Sequence, residues 1–135
     1  MNHLALEQAV KAALAASAFP ATAIYTGSGY DILEPQSSNL IVSCQNARQE
    51  GIGLYVADVT VRLIAPALQG ADSYASFDQQ LNILRDALTP VYMNANWPIT
   101  ASAPAFFGMW VESSSTTSDN NAWSSEHSVS MGIGI

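Results

Sequence analysis

The sequence has few charged side chains and very few positive ones. Charged residues make up 11% of the 135 residues, where ordinary soluble domains carry about 25%. The net charge is −7, and the only cations are Lys11, Arg48, Arg62 and Arg85. Tight binding to a nucleic-acid backbone needs several clustered cations, so the composition argues against it. A surface so poor in charge predicts burial against other subunits, with a neutral, serine-rich monomer as the alternative.

Cysteine and long apolar runs are also scarce. Cys44 is the single cysteine, so no disulfide forms within the chain, and its apolar neighbours predict a buried free thiol. No apolar run approaches the ~20 residues of a transmembrane helix. Near the N-terminus, Glu7, Gln8 and Lys11 interrupt the apolar positions, which predicts no signal peptide. We therefore expect a protein made and used in a cytoplasm, or in a particle assembled there.

Side chains suited to catalysis or metal binding are few. His3 and Glu7 have a spacing that fits two metal ligands on a helix, but an exposed surface pair is the better interpretation. His127 lies on the apolar side of the last predicted strand, where we expect a packing residue rather than a general base. The pair Gly27 and Gly29 lacks the third glycine and the following helix of a phosphate-binding loop. The sequence thus predicts no catalytic residues, no cofactor and no metal site, and we expect no enzyme.

The clearest local pattern is a strand followed by a helix near the middle of the chain. Apolar residues alternate from Tyr55 to Ile64, which predicts a strand with one face in a core, and Pro66 ends it. The following helix starts near Ser73 and closes at Thr89-Pro90. Its apolar side chains recur at spacings of three and four residues. They are Tyr74, Phe77, Leu81, Leu84 and Leu88. We expect this strand and helix to pack together at the centre of the fold.

Shorter patterns precede this pair. An alanine-rich helix beginning at Asn2 or His3 stops at Phe19-Pro20, and residues 21–26 form a short strand candidate. An irregular loop to Ser38 leads into a strand at Leu40–Cys44 that fades at residues 45–46. Gly51 and Gly53 flank a turn, so this strand and the central one predict a hairpin.

The C-terminal third predicts a loop and a second hairpin. Residues 91–104 are a predicted loop with Trp97 and Ile99 turned inward. A strand then spans Ala105–Ser114, and a polar loop covers Ser113–Asn121. The strand's predicted faces are Phe107, Met109 and Val111 on one side, and Phe106 and Trp110 on the other.

The last strand has the most regular alternation in the chain. Its predicted buried positions are Trp123, Ser125, His127, Val129, Met131, Ile133 and Ile135, and the other face carries mainly Ser and Gly. Two alternatives stay open for this strand: a central place in its own sheet, or pairing with an adjacent subunit. The whole pattern predicts one α+β domain over residues 1–135, in the order α-β-β-β-α-β-β. About five strands form an antiparallel-rich mixed sheet, with two helices on one face.

This layout resembles the tail terminator (tail completion) proteins of long-tailed bacteriophages. The N-terminal helix, the short strand with Ile24 and Tyr25, the Ala57–Leu63 strand and the leucine-rich helix carry the resemblance, together with the final hairpin. It covers most of the chain. It implies a ring of identical subunits, usually six, that caps the tail tube and meets the neck or head-completion protein in the virion. DNA would pass through such a ring without specific binding, and the ring would do no chemistry.

The resemblance directs attention to subunit interfaces and to loops lining the ring. The interface candidates are Asp58, Arg62, Trp110, Trp123, Val129, Met131 and Ile133. The lumen-loop candidates are Asp31, Glu34 and Asp119. Two other classes remain open. One is another head–tail connector component, a stopper or adaptor ring. The other is a small-ligand-binding or enzymatic domain, for which the candidate pocket lies around Trp97, Trp110 and His127.

Overall fold

A computed structural model describes residues 2–19, 23–27, 38–66, 71–118 and 122–134, and places five strands in one sheet. In chain order its elements are α1 (His3–Ala15), β1 (Ile24–Thr26), β2 (Asn39–Gly51), β3 (Leu54–Pro66), α2 (Ala71–Ala87), α3 (Pro90–Asn96), β4 (Ala105–Ser118) and β5 (Ala122–Gly134). The strand order is β1-β2-β3-β5-β4, with β1 parallel to β2 and the other pairs antiparallel. The predicted α+β class and element order are confirmed, with a third short helix added.

The predicted central pair lies at the centre of the core. Strand β3 pairs with β2 on one side and with β5 on the other. Its alternate residues from Ala57 to Ala65 are buried beneath the helices, together with Phe77, Leu81, Leu84 and Leu88 of the α2 stripe. Tyr74 is the exception, since it is 53% exposed, although its ring forms a T-shaped contact with the Trp123 ring at a centroid distance of 5.2 Å. The stripe prediction therefore holds from the second turn of α2 onward.

Helix α1 begins where the sequence predicts. The side chain of Asn2 accepts a hydrogen bond from the Ala5 N–H (3.2 Å) and so caps the free N–H groups of the first turn. Leu6, Val10 and Leu14 are fully buried, so α1 covers the β1–β2 side of the sheet. None of the helices in the described part of the chain is long and apolar enough to cross a membrane.

Strand β2 continues beyond the point where the sequence predicts its end. The apolar pattern stops at residues 45–46, but pairing with β3 continues to Gly51 after a bulge between Cys44 and Asn46. The backbone ladder depends on N–H and C=O groups rather than on side chains, so a polar segment can remain paired. The predicted turn is confirmed, and Gly53 adopts the positive φ of 70° that favours glycine.

The segment predicted as a loop at residues 91–104 starts with a helix instead. Thr89 caps α3 by accepting a hydrogen bond from the Tyr92 N–H (3.3 Å), and Pro90 occupies the first turn, where its missing N–H costs nothing. The hydroxyl of Tyr92 donates to the Ala13 carbonyl (3.0 Å) and ties α3 to α1. Ile99 is 100% exposed, so the prediction that it turns inward is wrong.

Trp97 does turn toward the core, as predicted. Its indole N–H donates to the Pro104 carbonyl (2.7 Å), and its ring stacks on Phe106 with a centroid separation of 5.0 Å. This contact fixes the start of β4 against the end of α3.

The final hairpin is longer than predicted. Strand β4 runs to Ser118, so most of the predicted Ser113–Asn121 loop is paired strand, and residues 119–121 lie outside the described residues. Strand β5 pairs along its length with both β3 and β4. Its place is therefore central within its own sheet. The predicted alternation is confirmed from Ser125 to Ile133, which are buried at every second position, and Ile135 lies outside the described residues.

Two bulges in β4 change which side chains share a face. Phe106 is opposite Ile133 and Gly108 is opposite Gly132, so Phe107 is an extra residue between them. A second shift leaves Glu112 as an extra residue between Val111 and Ser113. Phe106 consequently lies on the helix side with Met109, and Phe107 lies on the other side with Trp110. The predicted grouping of Phe107 with Met109 is wrong because simple alternation cannot account for a bulge.

Candidate interaction surface

The sheet has one face beneath the helices and one face that no described helix covers, which we call the open face. The open face carries Val56, Asp58, Thr60 and Arg62 of β3, the alternate Ser and Gly residues of β5, and Phe107, Trp110 and Glu112 of β4. Phe107 is 65% exposed and Trp110 is 50% exposed. Large aromatic side chains exposed together on a sheet are typical of an interaction surface.

Two glycines of β5 make room for the Phe107 ring. A Cβ atom at Gly134 would lie 2.6 Å from the Phe107 ring, and one at Gly132 would lie 3.8 Å from the Phe107 Cβ. The room beside these two glycines is thus filled by a side chain of the neighbouring strand. The ring lies beside the β2–β3 turn, because the Gly53 carbonyl also lies 3.3 Å from the same Gly134 position.

Trp110 is held in a network of acidic and hydroxyl groups. Its indole N–H donates to the Glu112 carboxylate. The Ser130 hydroxyl lies 3.1 Å from Glu112 and 3.4 Å from Asp58, and its single hydrogen can serve only one of them at a time. We call Phe107, Trp110 and Glu112 the aromatic–acidic patch.

Arg48 is engaged with carboxylates other than Glu112. Arg48 contacts Glu50 at 2.6 Å and lies 3.9 Å from Asp58. Arg62 sits opposite Glu126 in the β3–β5 register. Among the described residues, no cation lies within salt-bridge distance of Glu112. The patch therefore combines exposed aromatic rings with an uncompensated carboxylate.

The structure divides the predicted interface residues into two groups. Asp58, Arg62 and Trp110 lie on the open face. Trp123 instead faces the helices and stacks on Phe77 at a centroid distance of 6.0 Å. The remaining three candidates, Val129, Met131 and Ile133, are buried in the core, so another subunit cannot contact them in the folded chain. The lumen-loop candidates Asp31, Glu34 and Asp119 lie outside the described residues.

The predicted pocket around Trp97, Trp110 and His127 does not form from these three side chains. Trp110 lies on the open face, whereas Trp97 and His127 lie on the helix side of the sheet. A groove of about 420 Å³ does run beside Trp97 and Ile99, but none of the described residues that line it has an ionisable side chain. Alternation along one strand does not show which of its faces is shared with a residue of another strand, because that depends on the register between the strands.

His127 has the environment of a packing residue. Its Nδ1 lies 2.8 Å from the Ser114 hydroxyl and its Nε2 lies 3.1 Å from the Ser125 hydroxyl, so both ring nitrogens are engaged. Burial lowers the pKa of His127 below its usual value, and the positive charge of Arg85 adds to the effect. The neutral ring beside Ser114 has hydroxyl partners only, without the acidic group that orients the histidine of a catalytic triad.

Glu7 has a structural role that the sequence interpretation missed. Only 7% of this residue is exposed, and its carboxylate accepts a hydrogen bond from the Cys44 N–H (2.7 Å), next to the β2 bulge. His3 is exposed, so the two are not a surface pair. A signal was present in the sequence, because Glu7 precedes the buried Val10 and Leu14 by three and seven residues and so shares their helix face.

Cys44 is half-buried rather than fully buried. Burial, followed by the negative charges of Glu7 and Asp58, raises the pKa of the Cys44 thiol to about 11. The thiol is therefore protonated at neutral pH, which makes it a poor nucleophile and a poor metal ligand. Within the described ranges, no three His, Cys, Asp or Glu side chains are grouped so that they could hold a metal ion.

Among the described surfaces, the open face is therefore the candidate interaction surface, because it exposes Phe107 and Trp110 beside the Glu112 carboxylate. Comparison with known proteins found no family model and no curated protein that matches this chain.

Proposed function

We propose that this chain is a structural protein of a bacteriophage virion, a tail terminator. Its copies would form a ring, with six subunits, that caps the tail tube and joins it to the neck or head-completion protein. The observation that carries this proposal is the fold. In the described part of the chain, a helix, a short strand, a long hairpin, a second helical region and a final long hairpin follow one another. Their strands form one sheet, and the described helices pack on one face of it.

The surface properties support assembly rather than catalysis. The chain has little charge, and its open face exposes Phe107 and Trp110. The groups most suited to chemistry serve the fold instead: His127 is held between two serine hydroxyls, and the Cys44 thiol is kept protonated. A subunit that binds its own copies and neighbouring tail proteins needs no reactive groups.

The charge also suits a ring through which DNA passes. Each subunit has a net charge of −7, so a ring of six would repel a phosphate backbone rather than bind it. We expect no detectable duplex binding by gel shift at low micromolar protein and ~150 mM salt, where nonspecific binders have a Kd of roughly 10⁻⁴–10⁻⁶ M. A retarded band under these conditions would contradict this part of the proposal.

Electron microscopy and light scattering test the assembly. The purified chain is examined alone and after mixing with polymerised tail tube protein, because a terminator can remain monomeric until it meets the tube. We expect rings with a central hole, located at tube ends, and a mass of six subunits. Rings that bind neck proteins but not tubes would instead support a stopper or adaptor. A monomer under both conditions would rule out the ring and leave the small-ligand alternative.

A further inference from the structure

We propose that the aromatic–acidic patch docks a basic, apolar segment of another protein, one that presents arginine or lysine beside apolar side chains. The patch consists of Phe107, Trp110 and Glu112 on the open face of the sheet, all from β4. This inference does not depend on the chain being a tail terminator, since it follows from the shape and charge of the patch itself.

The patch is organised before any partner arrives. Two bulges place extra residues on the open face, and those two residues are Phe107 and Glu112. The Glu112 carboxylate accepts hydrogen bonds from the Trp110 indole and the Ser130 hydroxyl, so neither the acid nor the ring rotates freely. Ordering these side chains in advance reduces the conformational entropy lost on binding.

The negative charge of the Glu112 carboxylate favours a cationic partner. Glu112 has no cation within 4.0 Å among the described residues, and it lies directly beside the exposed Trp110 ring. A guanidinium or ammonium group placed there would gain an ion pair with the carboxylate and a cation–π contact with the indole. Either contact is stronger when apolar neighbours exclude water.

A second copy of this chain is a poorer match than a basic protein. The chain has only four cations, of which Arg48 is within reach of two carboxylates and Arg62 lies opposite Glu126. The other two cations, Lys11 and Arg85, lie on α1 and α2, which pack against the opposite face of the sheet.

Apolar surface next to the acid explains why the partner must be apolar as well as basic. Phe107 is exposed beside the β2–β3 turn, where Ile52 is fully exposed and Leu54 is partly exposed. These side chains extend the aromatic surface of β4 toward the turn. A partner with only charged side chains would leave this surface in water.

Nuclear magnetic resonance titration tests the proposal directly. The probe is a seven-residue peptide of alternating valine and arginine, and the control peptide alternates valine with glutamate. The three tryptophan indole N–H signals are followed in ¹⁵N-labelled protein, and Trp110→Phe identifies the signal of Trp110. We expect the arginine peptide to shift the Trp110 signal at millimolar concentration, whereas the glutamate peptide leaves it in place.

A matched pair of variants separates local contact from general charge. Glu112→Gln should weaken binding of the arginine peptide by roughly threefold to tenfold, as expected for one partly exposed ion pair with an aromatic neighbour. Asp86→Asn removes the same charge from α2 on the helix side and should leave the affinity unchanged. Phe107→Ala leaves the Glu112 carboxylate in place and should weaken binding of the arginine peptide because the apolar contact is lost. It therefore tests the patch independently if Glu112→Gln disturbs the fold.

Three results would overturn the proposal. The first is no movement of the Trp110 signal with the arginine peptide. The second is equal weakening by Glu112→Gln and Asp86→Asn, which would reduce the effect to net charge. The third is a Trp110 shift on raising the protein concentration alone, which would identify a second copy of the chain as the occupant.

Discussion

Replacing Glu7 provides the sharpest test of how α1 is attached to the sheet. The Glu7 carboxylate is buried and accepts the Cys44 N–H at 2.7 Å, beside the bulge where β2 loses regular pairing with β3. A buried backbone N–H without an acceptor is costly, so the carboxylate compensates for the bulge. Glu7→Ala leaves that N–H without its acceptor, whereas Glu7→Gln keeps an oxygen in reach of it.

The expected losses follow from the type of hydrogen bond. A bond to a charged group contributes about 1.5–3 kcal/mol, and a neutral one about 0.5–1.5 kcal/mol. Glu7→Ala should therefore lower the free energy of unfolding by roughly 2–3 kcal/mol, and Glu7→Gln by about 1 kcal/mol. For a chain of 135 residues, the larger loss corresponds to a melting temperature roughly 10 °C lower.

Urea and thermal unfolding measure these losses, and Gln8→Ala is the matched control. Gln8 is the next residue of the same helix but is exposed, so its replacement should change stability by less than ~0.5 kcal/mol. Thiol reactivity gives a second readout. The charge of Glu7 helps to raise the pKa of Cys44, so Glu7→Gln should make the thiol react at lower pH. If Glu7→Ala were as stable as Gln8→Ala, the role assigned to this hydrogen bond would be wrong.

Other predictions test the core, a buried histidine and the central strand. Leu84→Ala removes a fully buried side chain of α2 and should lower the free energy of unfolding by ~2–5 kcal/mol. Replacing the exposed Asn82 by alanine should change it little, and equal melting temperatures for the two variants would mean that the buried face of α2 is misassigned. The pKa of His127 is lowered in the folded chain, so its imidazole takes up a proton more readily when the chain is unfolded. The free energy of unfolding should therefore be greatest above about pH 6.5 and fall as the pH drops below that value. Urea unfolding of His127→Gln should show a smaller fall between pH 7.5 and 5.5, and an unchanged pH dependence would rule this out. Deleting the last four residues removes Ile133 and part of the pairing of β5 with β3 and β4, and should abolish the folded circular dichroism spectrum; a folded product would contradict the central place of β5.

The sequence predicted the elements whose side chains alternate or recur with one regular period. The central strand, the α2 stripe and the last strand were found because burial against a single core requires a period of two in strands and about 3.6 in helices. The order of elements and the α+β class followed from these patterns. Helix α3 was missed although Thr89-Pro90 signals a helix start, because the same Pro90 was used only to end α2.

The candidate surface was predicted only in part, because the face on which each residue lies depends on how its strand pairs with the neighbouring strands. Trp110, Asp58 and Arg62 were among the interface candidates and do lie on the open face. Phe107 and Glu112 were not among them, since their positions result from bulges opposite β5.

Local periodicity therefore determined the central strand, most of the α2 stripe and the last strand, together with the alternate residues that these elements bury. The tertiary structure decided that β5 lies between β3 and β4, that Glu7 reaches the backbone of β2, and that Phe107 lies over Gly134. Each of these contacts joins residues far apart in the sequence, or depends on one extra residue in a ladder. A periodic pattern describes one segment by itself and does not encode which backbone groups of another segment will meet it.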